Sequence, residues 1–268
     1  MKRSNKRKIN SVLKNLYIGL VYLFLFLPII VIVIFSFNTS KMNVTFEGFT
    51  IKWYISMFSN RTLMEAFTNT LFIGIVSTLA SGVIGTLAAV GMNRFKFKGK
   101  KIIEMLLYIP VVIPEIVLGI SLLSVFSMIS MSLGLVTIIL AHITFSVPFV
   151  IITVRARLSG FDKSIEEAAM DLGANRFKTF IKITLPIIAP GVLSGAMLAF
   201  TLSLDDVVIS FFTAGPGSNT LPLKIFSMVK TGVTPEVNAL STLIMIVTII
   251  GLGSVTFSQI KKIKSLKI

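Results

Sequence analysis

The chain has 268 residues, 54% hydrophobic and only 14% charged, which is far more apolar than a soluble domain of that length. Its formal charge of +15 comes from lysines and arginines set between apolar runs, a pattern that reports orientation in a bilayer and excludes a compact basic face for nucleic acid. With no cysteine, disulfides, thiolate zinc sites and cysteine-held iron–sulfur clusters are excluded as well.

Lys2, Arg3, Lys6, Arg7, Lys8 and Lys14 precede an apolar run over residues 16–37. The run is too long for a signal peptide and no small-residue cleavage site follows Asn38, so an uncleaved first transmembrane helix is expected. Residues 38–65 are mixed and carry Trp53 and Tyr54, suited to the headgroup level of a first external loop. A second span is predicted over 66–92, where Ser77, Ser81, Gly85 and Ala89 recur every four residues and allow close backbone approach in lipid. The loop after it carries Arg94, Lys96, Lys98, Lys100 and Lys101.

A third span, over 102–126, contains Pro110, Pro114 and Glu115; freed carbonyls at such prolines are tolerated beside neighbouring helices or a watery cavity. An uncharged turn near Ser130 leads to a fourth span over 133–154, closed by Arg155 and Arg157. His142 lies in this span and is expected to pack helices by hydrogen bonding, since no second histidine exists to complete a metal site. The fifth span is predicted over 187–212, with a small-residue ridge at Gly191, Gly195 and Ala199 and with Asp205 and Asp206 toward its far end. An external segment over 213–238 has a turn at Ala214-Gly215-Pro216-Gly217 and a short amphipathic helix over 221–230. Pro235 suits the opening of a last span over 236–259.

Threading the chain in this way leaves only Lys41, Lys52, Arg61, Lys224 and Lys230 on the external side. That bias predicts an all-α, polytopic membrane protein of six transmembrane helices with both termini cytosolic. A single transmembrane domain over 15–260 is expected between basic cytosolic tails, 1–14 and 261–268. No phosphate-cradling glycine loop, nucleophile elbow or HExxH is present, so the chain is not expected to be an enzyme or to bind a cofactor.

The one long polar segment with internal design is 164–190, SIEEAAMDLGANRFKTFIKITLPIIAP, in a predicted cytosolic loop over 155–186. Ser164 and Glu167 read as a capping box. Ile165, Ala168, Ala169 and Leu172 form one apolar stripe, and Gly173 supplies a left-handed stop. A second short helix is predicted from Asn175, with Phe177, Phe180, Ile181 and Ile183 as its apolar face and with Leu185-Pro186 ending it. Such a pair cannot bury its own stripe.

Glu167-Ala168-Ala169, Gly173, Ile183, Leu185 and Pro186 together resemble the EAA signature of permease subunits in ABC importers. The resemblance implies the type I importer permease fold, and a cytosolic loop in which these residues and Leu172 dock into a groove on an ATP-hydrolysing subunit. Further runs, TLSLDDVVISFFTA at 201–214, LPLKIFSMVK at 221–230, GVTPEVNAL at 232–240, HITFSVPFV at 142–150 and NTL at 69–71, are similar to permeases of bacterial spermidine/putrescine importers. This family implies a heterodimer with a second permease, two ATPase subunits that hold ATP and magnesium, and an external polyamine-binding protein.

Glu115, Asp205 and Asp206 are the candidate substrate-path residues, because carboxylates inside a membrane are costly and mark function or pairing. On straight helices Glu115 would lie roughly 20 Å, and Asp205 about 27 Å, from the cytosolic face. Adjacent Asp205 and Asp206 would project about 100° apart, so one would line the path while the other packs. The competing readings are an ABC permease for another amine or a metal ion, and a secondary transporter that uses the carboxylates for proton coupling.

Overall fold

A computed structural model describes the backbone of residues 2–41, 45–232 and 234–265, with the side chains of 13–41, 45–230, 232 and 234–250. The basic side chains expected at the ends, Lys2 to Lys8 and Lys261 to Lys267, lie outside the described side chains. The described residues are almost entirely helical, and their one β-bridge pairs Asn38 with Phe49. They fall into two compact units, 1–61 with 227–268, and 62–226.

The first unit contains α1 (Lys2–Phe35), α2 (Lys52–Ser59) and α12 (Pro235–Ser265). Pro235 opens α12 as expected, and both α1 and α2 pack against that helix. Ser56 Oγ and Asn60 Nδ2 each donate to Glu236 Oε1 at 3.3 Å. The expected first loop is built rather than open. Trp53 Nε1 donates to the Asn38 carbonyl at 2.6 Å, and Phe37 stacks on Phe49 with ring centroids 4.9 Å apart.

The second unit holds α3 (Arg61–Arg94), α4 (Lys100–Val112), α5 (Glu115–Met128), α6 (Leu135–Leu158), α7 (Ser164–Asp171), α8 (Arg176–Thr179), α9 (Leu185–Asp205) and α10 (Val208–Thr213), and most of α11 (Leu221–Thr231). A π turn over Phe180–Thr184 joins α8 to α9. The best-packed helix is α6. Its Val150, Ile151, Val154 and Leu158 form one core with Ala89, Val90 and Met92 of α3 and Ile188 and Ala199 of α9.

Lipid removes the hydrophobic drive between helices, so close backbone approach has to supply the attraction. Both predicted ridges do this. Ser77, Ser81, Gly85 and Ala89 are buried on α3, and Gly191, Gly195 and Ala199 on α9. A methyl at Gly85 would sit 2.7 Å from the Val150 side chain, and one at Gly191 would sit 2.8 Å from Arg157 Cβ. Toward the basic end of the unit, Arg155 pairs with Glu104 at 2.7 Å and ties α6 to α4.

By length and composition, four described helices can cross a membrane: residues 13–35, α3, α6, and the continuous 176–205 stretch. A fifth span results if α4 and α5 are counted as one, although they meet at 111°. The third span is therefore broken, not continuous as predicted. Pro114 forces Ile113 into an extended conformation (φ −68°, ψ 137°), and the helix restarts at Glu115. The fifth span also ends sooner than expected, since α9 stops at Asp205 and extended Asp206 precedes α10, while its helical stretch begins earlier, at Arg176.

Candidate functional site

At the coupling segment, Gly173 takes φ +87° and completes a Schellman stop: its N–H donates to the Met170 carbonyl at 2.9 Å, and that of Ala174 to Ala169 at 3.0 Å. Asn175 caps α8 as predicted, accepting from the Lys178 N–H at 2.8 Å. The predicted capping box is absent. Ser164 is already helical, and the Glu167 N–H donates to the Lys163 carbonyl. Asp162 serves the helix start instead, accepting from the Ser164 N–H at 3.0 Å, and this bond holds its carboxyl below the usual carboxylate range.

Leu185-Pro186 does not end a helix either. The chain runs on into α9 because the π turn, in which the Leu185 N–H reaches the Phe180 carbonyl five residues back, widens the helix just ahead of the proline ring. On α7 most of the apolar stripe stays outward: Ile165, Ala168 and Leu172 are exposed, with Leu172 90% accessible, Ala169 is half-buried, and no residue of α7 is buried. Glu167 is exposed beside them. Glu166 was not singled out in the sequence. Its Oε1 accepts from Arg94 Nη2 and from the Thr184 hydroxyl.

The three candidate path carboxylates come together where the two broken spans meet. Glu115 opens α5, Asp205 closes α9, Asp206 follows in the break, and Glu115 is within electrostatic reach of both aspartates. Here α10 packs on α5, close enough that a methyl at Gly119 would lie 2.6 Å from the Phe212 ring. The helical projection expected for the aspartates does not apply, because Asp206 is extended (φ −65°, ψ 125°). The pair divides its roles all the same. Asp205 is exposed, whereas Asp206 is buried and accepts from the N–H groups of Ile209 at 3.0 Å and Ser210 at 2.7 Å, which starts α10.

His142 completes that buried cluster as the hydrogen bonder expected of it, with Nδ1 2.6 Å from Ser203 Oγ and Nε2 3.3 Å from both Asp206 Oδ2 and Ser210 Oγ. Ser203 in turn lies 3.3 Å from Ser77 Oγ, so one polar network spans α3, α6, α9 and α10. Glu115 and Asp205 face an environment of opposite helix polarity. Glu115 sits at a helix N-terminus, where the macrodipole favours a carboxylate, and Asp205 at a helix C-terminus, where it favours a cation.

Residues 81–264 match the family described as "Binding-protein-dependent transport system inner membrane component". The chain belongs to this family. The permease is 42% identical over 242 residues to the "Spermidine/putrescine transport system permease protein PotC" of Escherichia coli (strain K12), covering 90% of this chain and 92% of that protein. It is also 42% identical over 231 residues to the "Putrescine transport system permease protein PotI" of the same strain, covering 84% and 82% of the two chains. Among solved structures it resembles a chain of a "bacterial ABC transporter involved in the import of the acidic polysaccharide alginate", with a TM-score of 0.74 at 16% identity over 93% of this chain and 96% of that one. This last likeness establishes the fold alone. The permease is thus a multi-pass inner-membrane protein with a transport role, not an enzyme.

Proposed function

We propose that the permease is one of two membrane-spanning subunits of an ATP-driven polyamine importer, forming half of the path for spermidine or putrescine. The observation that carries the substrate class is its 42% identity, across 90% of its length, to a spermidine/putrescine permease, matched by equal identity to a putrescine permease. The geometry supports it. Polyamines are flexible polycations, and exposed Glu115 and Asp205, with the carbonyl end of α9 between two helix breaks, offer acceptors for ammonium groups. In a low-dielectric cavity that attraction exceeds its value in water, yet it must stay weak enough for release.

The remaining parts follow from this reading. Six spans with both termini cytosolic are supported by the basic residues of 94–101 and 155–182, and α12 would supply the sixth. A second permease would complete the path, and an external binding protein would deliver the polyamine. Two ATPase subunits, carrying ATP and magnesium, would serve the permease pair, one of them docking on Glu167, Ala168, Ala169, Leu172 and Gly173. Ile183, Leu185 and Pro186 would carry the motion into α9. Support comes from the outward residues of the α7 stripe, which nothing in the chain covers among the described residues.

Uptake of labelled spermidine and putrescine by the assembled transporter in vesicles tests the reading. Glu115→Gln and Asp205→Asn keep size and remove charge, so each is expected to lower uptake roughly tenfold, the equivalent of about 1.4 kcal/mol, at unchanged membrane level. Parental uptake in both variants would reduce these carboxylates to structural roles. A parental transporter that imports a different amine or a metal ion, and neither polyamine, would overturn the substrate class.

A further inference from the structure

We propose that Glu166, the residue before the EAA triplet, is the positioning residue of α7, fixing the direction in which that helix meets its partner. The inference rests on the reading of α7 as the ATPase-coupling helix. Glu166 and Glu167 are adjacent on a helix and so point about 100° apart. Glu167 is exposed, while the Glu166 side chain is only 13% accessible and turns toward the bundle.

There it meets two separate elements of the membrane-spanning part. Arg94 is the last residue of α3, and Thr184, fully buried, is the last residue of the π turn that leads into α9. Both donate to the same carboxylate oxygen, and Arg94 Nη2 also reaches Thr184 Oγ1 at 2.9 Å, which closes a triangle. The Arg94 guanidinium is held further by the Phe180 ring, 6.0 Å from its centroid.

Apolar packing does not compete with this triangle for control of α7. No residue of the helix is buried, and of its apolar stripe only Ala169 is partly covered. An eight-residue helix of that kind has no fixed orientation of its own. A charge-assisted, two-donor contact to a partly buried carboxylate is directional, and it joins α7 to α3 and α9 together. A push on α7 therefore reaches two spans through one side chain.

The absence of native cysteine allows spin labels at Lys96→Cys and Asp171→Cys, one beyond α3 and one on α7, in the full transporter in nanodiscs. The parental pair is expected to give one narrow distance distribution, and Glu166→Ala at least twice the width. Thr184→Val is expected to broaden it less. Arg94→Glu should broaden it, and Arg94→Glu with Glu166→Arg should narrow it again, a recovery that general misfolding would not produce. ATP hydrolysis stimulated by loaded binding protein is expected to fall to the unstimulated level in the single variants. An unchanged width in Glu166→Ala, or no recovery in the swap, overturns the inference. Broadening with stimulation intact would leave the positioning role standing and instead sink the reading of α7 as the coupling helix.

Discussion

His142 Nε2 on α6 lies 3.3 Å from Asp206 Oδ2 in the break after α9, and neither side chain is more than 4% accessible. The arrangement fits an imidazole that donates from Nε2 to the carboxylate and accepts at Nδ1 from the Ser203 hydroxyl. With the N–H groups of Ile209 and Ser210, the contact gives Asp206 a structural role as the cap of α10.

Asp206→Ala is therefore expected to act on the fold. It leaves His142 and the N–H groups of Ile209 and Ser210 buried without their acceptor, at a cost of about 1–3 kcal/mol for a stranded donor. Thermal stability of the purified permease in detergent should drop, and membrane level with it. Asp205→Asn should leave both unchanged, because exposed Asp205 holds no such cluster together. Equal stability of the two variants would refute the capping role of Asp206.

The second expectation concerns Gly85, where α3 touches Val150 of α6. Gly85→Val forces at least 2.7 Å contacts from its Cβ and should cost about 1–3 kcal/mol by overpacking. Val150→Ala made in the same chain removes the Cγ1 contact but keeps the Cβ contact, so it should recover only part of that loss. Thermal melts of the two single variants and the double variant check the coupling; additive losses would place the strain elsewhere.

At the other end of the unit, Gly173 has open space around it but a backbone at φ +87°. Gly173→Val thus costs backbone strain of about 1–2 kcal/mol rather than a clash, and it re-aims the chain leaving α7. Ala168→Asp places a charge on the outward stripe without touching the core. Both proteins should insert and fold, with polyamine uptake and stimulated ATP hydrolysis lost. Normal transport by Ala168→Asp would remove the stripe from the docking surface.

Orientation is open to a direct check. Reporter fusions after Lys101 and Lys178 should behave as cytosolic, and fusions near Lys52 and Lys230 as external. A cytosolic signal at Lys230 would refute the six-span scheme.

The parts of this fold that repeat were legible in the sequence. Small residues every four positions on α3 and α9, the turn at Gly215-Pro216-Gly217, the 221–231 helix and the left-handed Gly173 all obey local rules, and the structure places them as those rules require. Helix breaks were not legible in the same way. Pro110 sits inside α4 without ending it, while Pro114 ends a helix, and spacing alone does not separate the two. No proline marks the break at Asp206; only the carboxylate and the N–H groups it accepts from, three and four residues on, define it. The capping box failed through competition: Asp162 stands two residues ahead of Ser164 and starts the helix one residue earlier than the Ser164-Glu167 pattern requires. The Glu166–Arg94–Thr184 and His142–Ser203 contacts join residues far apart in the chain, and no local pattern announces them.

Thr184 reaches Glu166 only because the backbone between Phe180 and Leu185 carries one more residue per turn than an ordinary helix. Were the same five residues wound as an ordinary helix, everything before them, Arg176 to Thr179 and the helix attached beyond, would swing about 100° around the axis of the fifth span. The wide turn is thus a setting of angle: it absorbs one extra residue, and ordinary winding of the stretch at its full length would rotate the loop's outward face away from the direction a docked subunit approaches, with every side chain of that face intact.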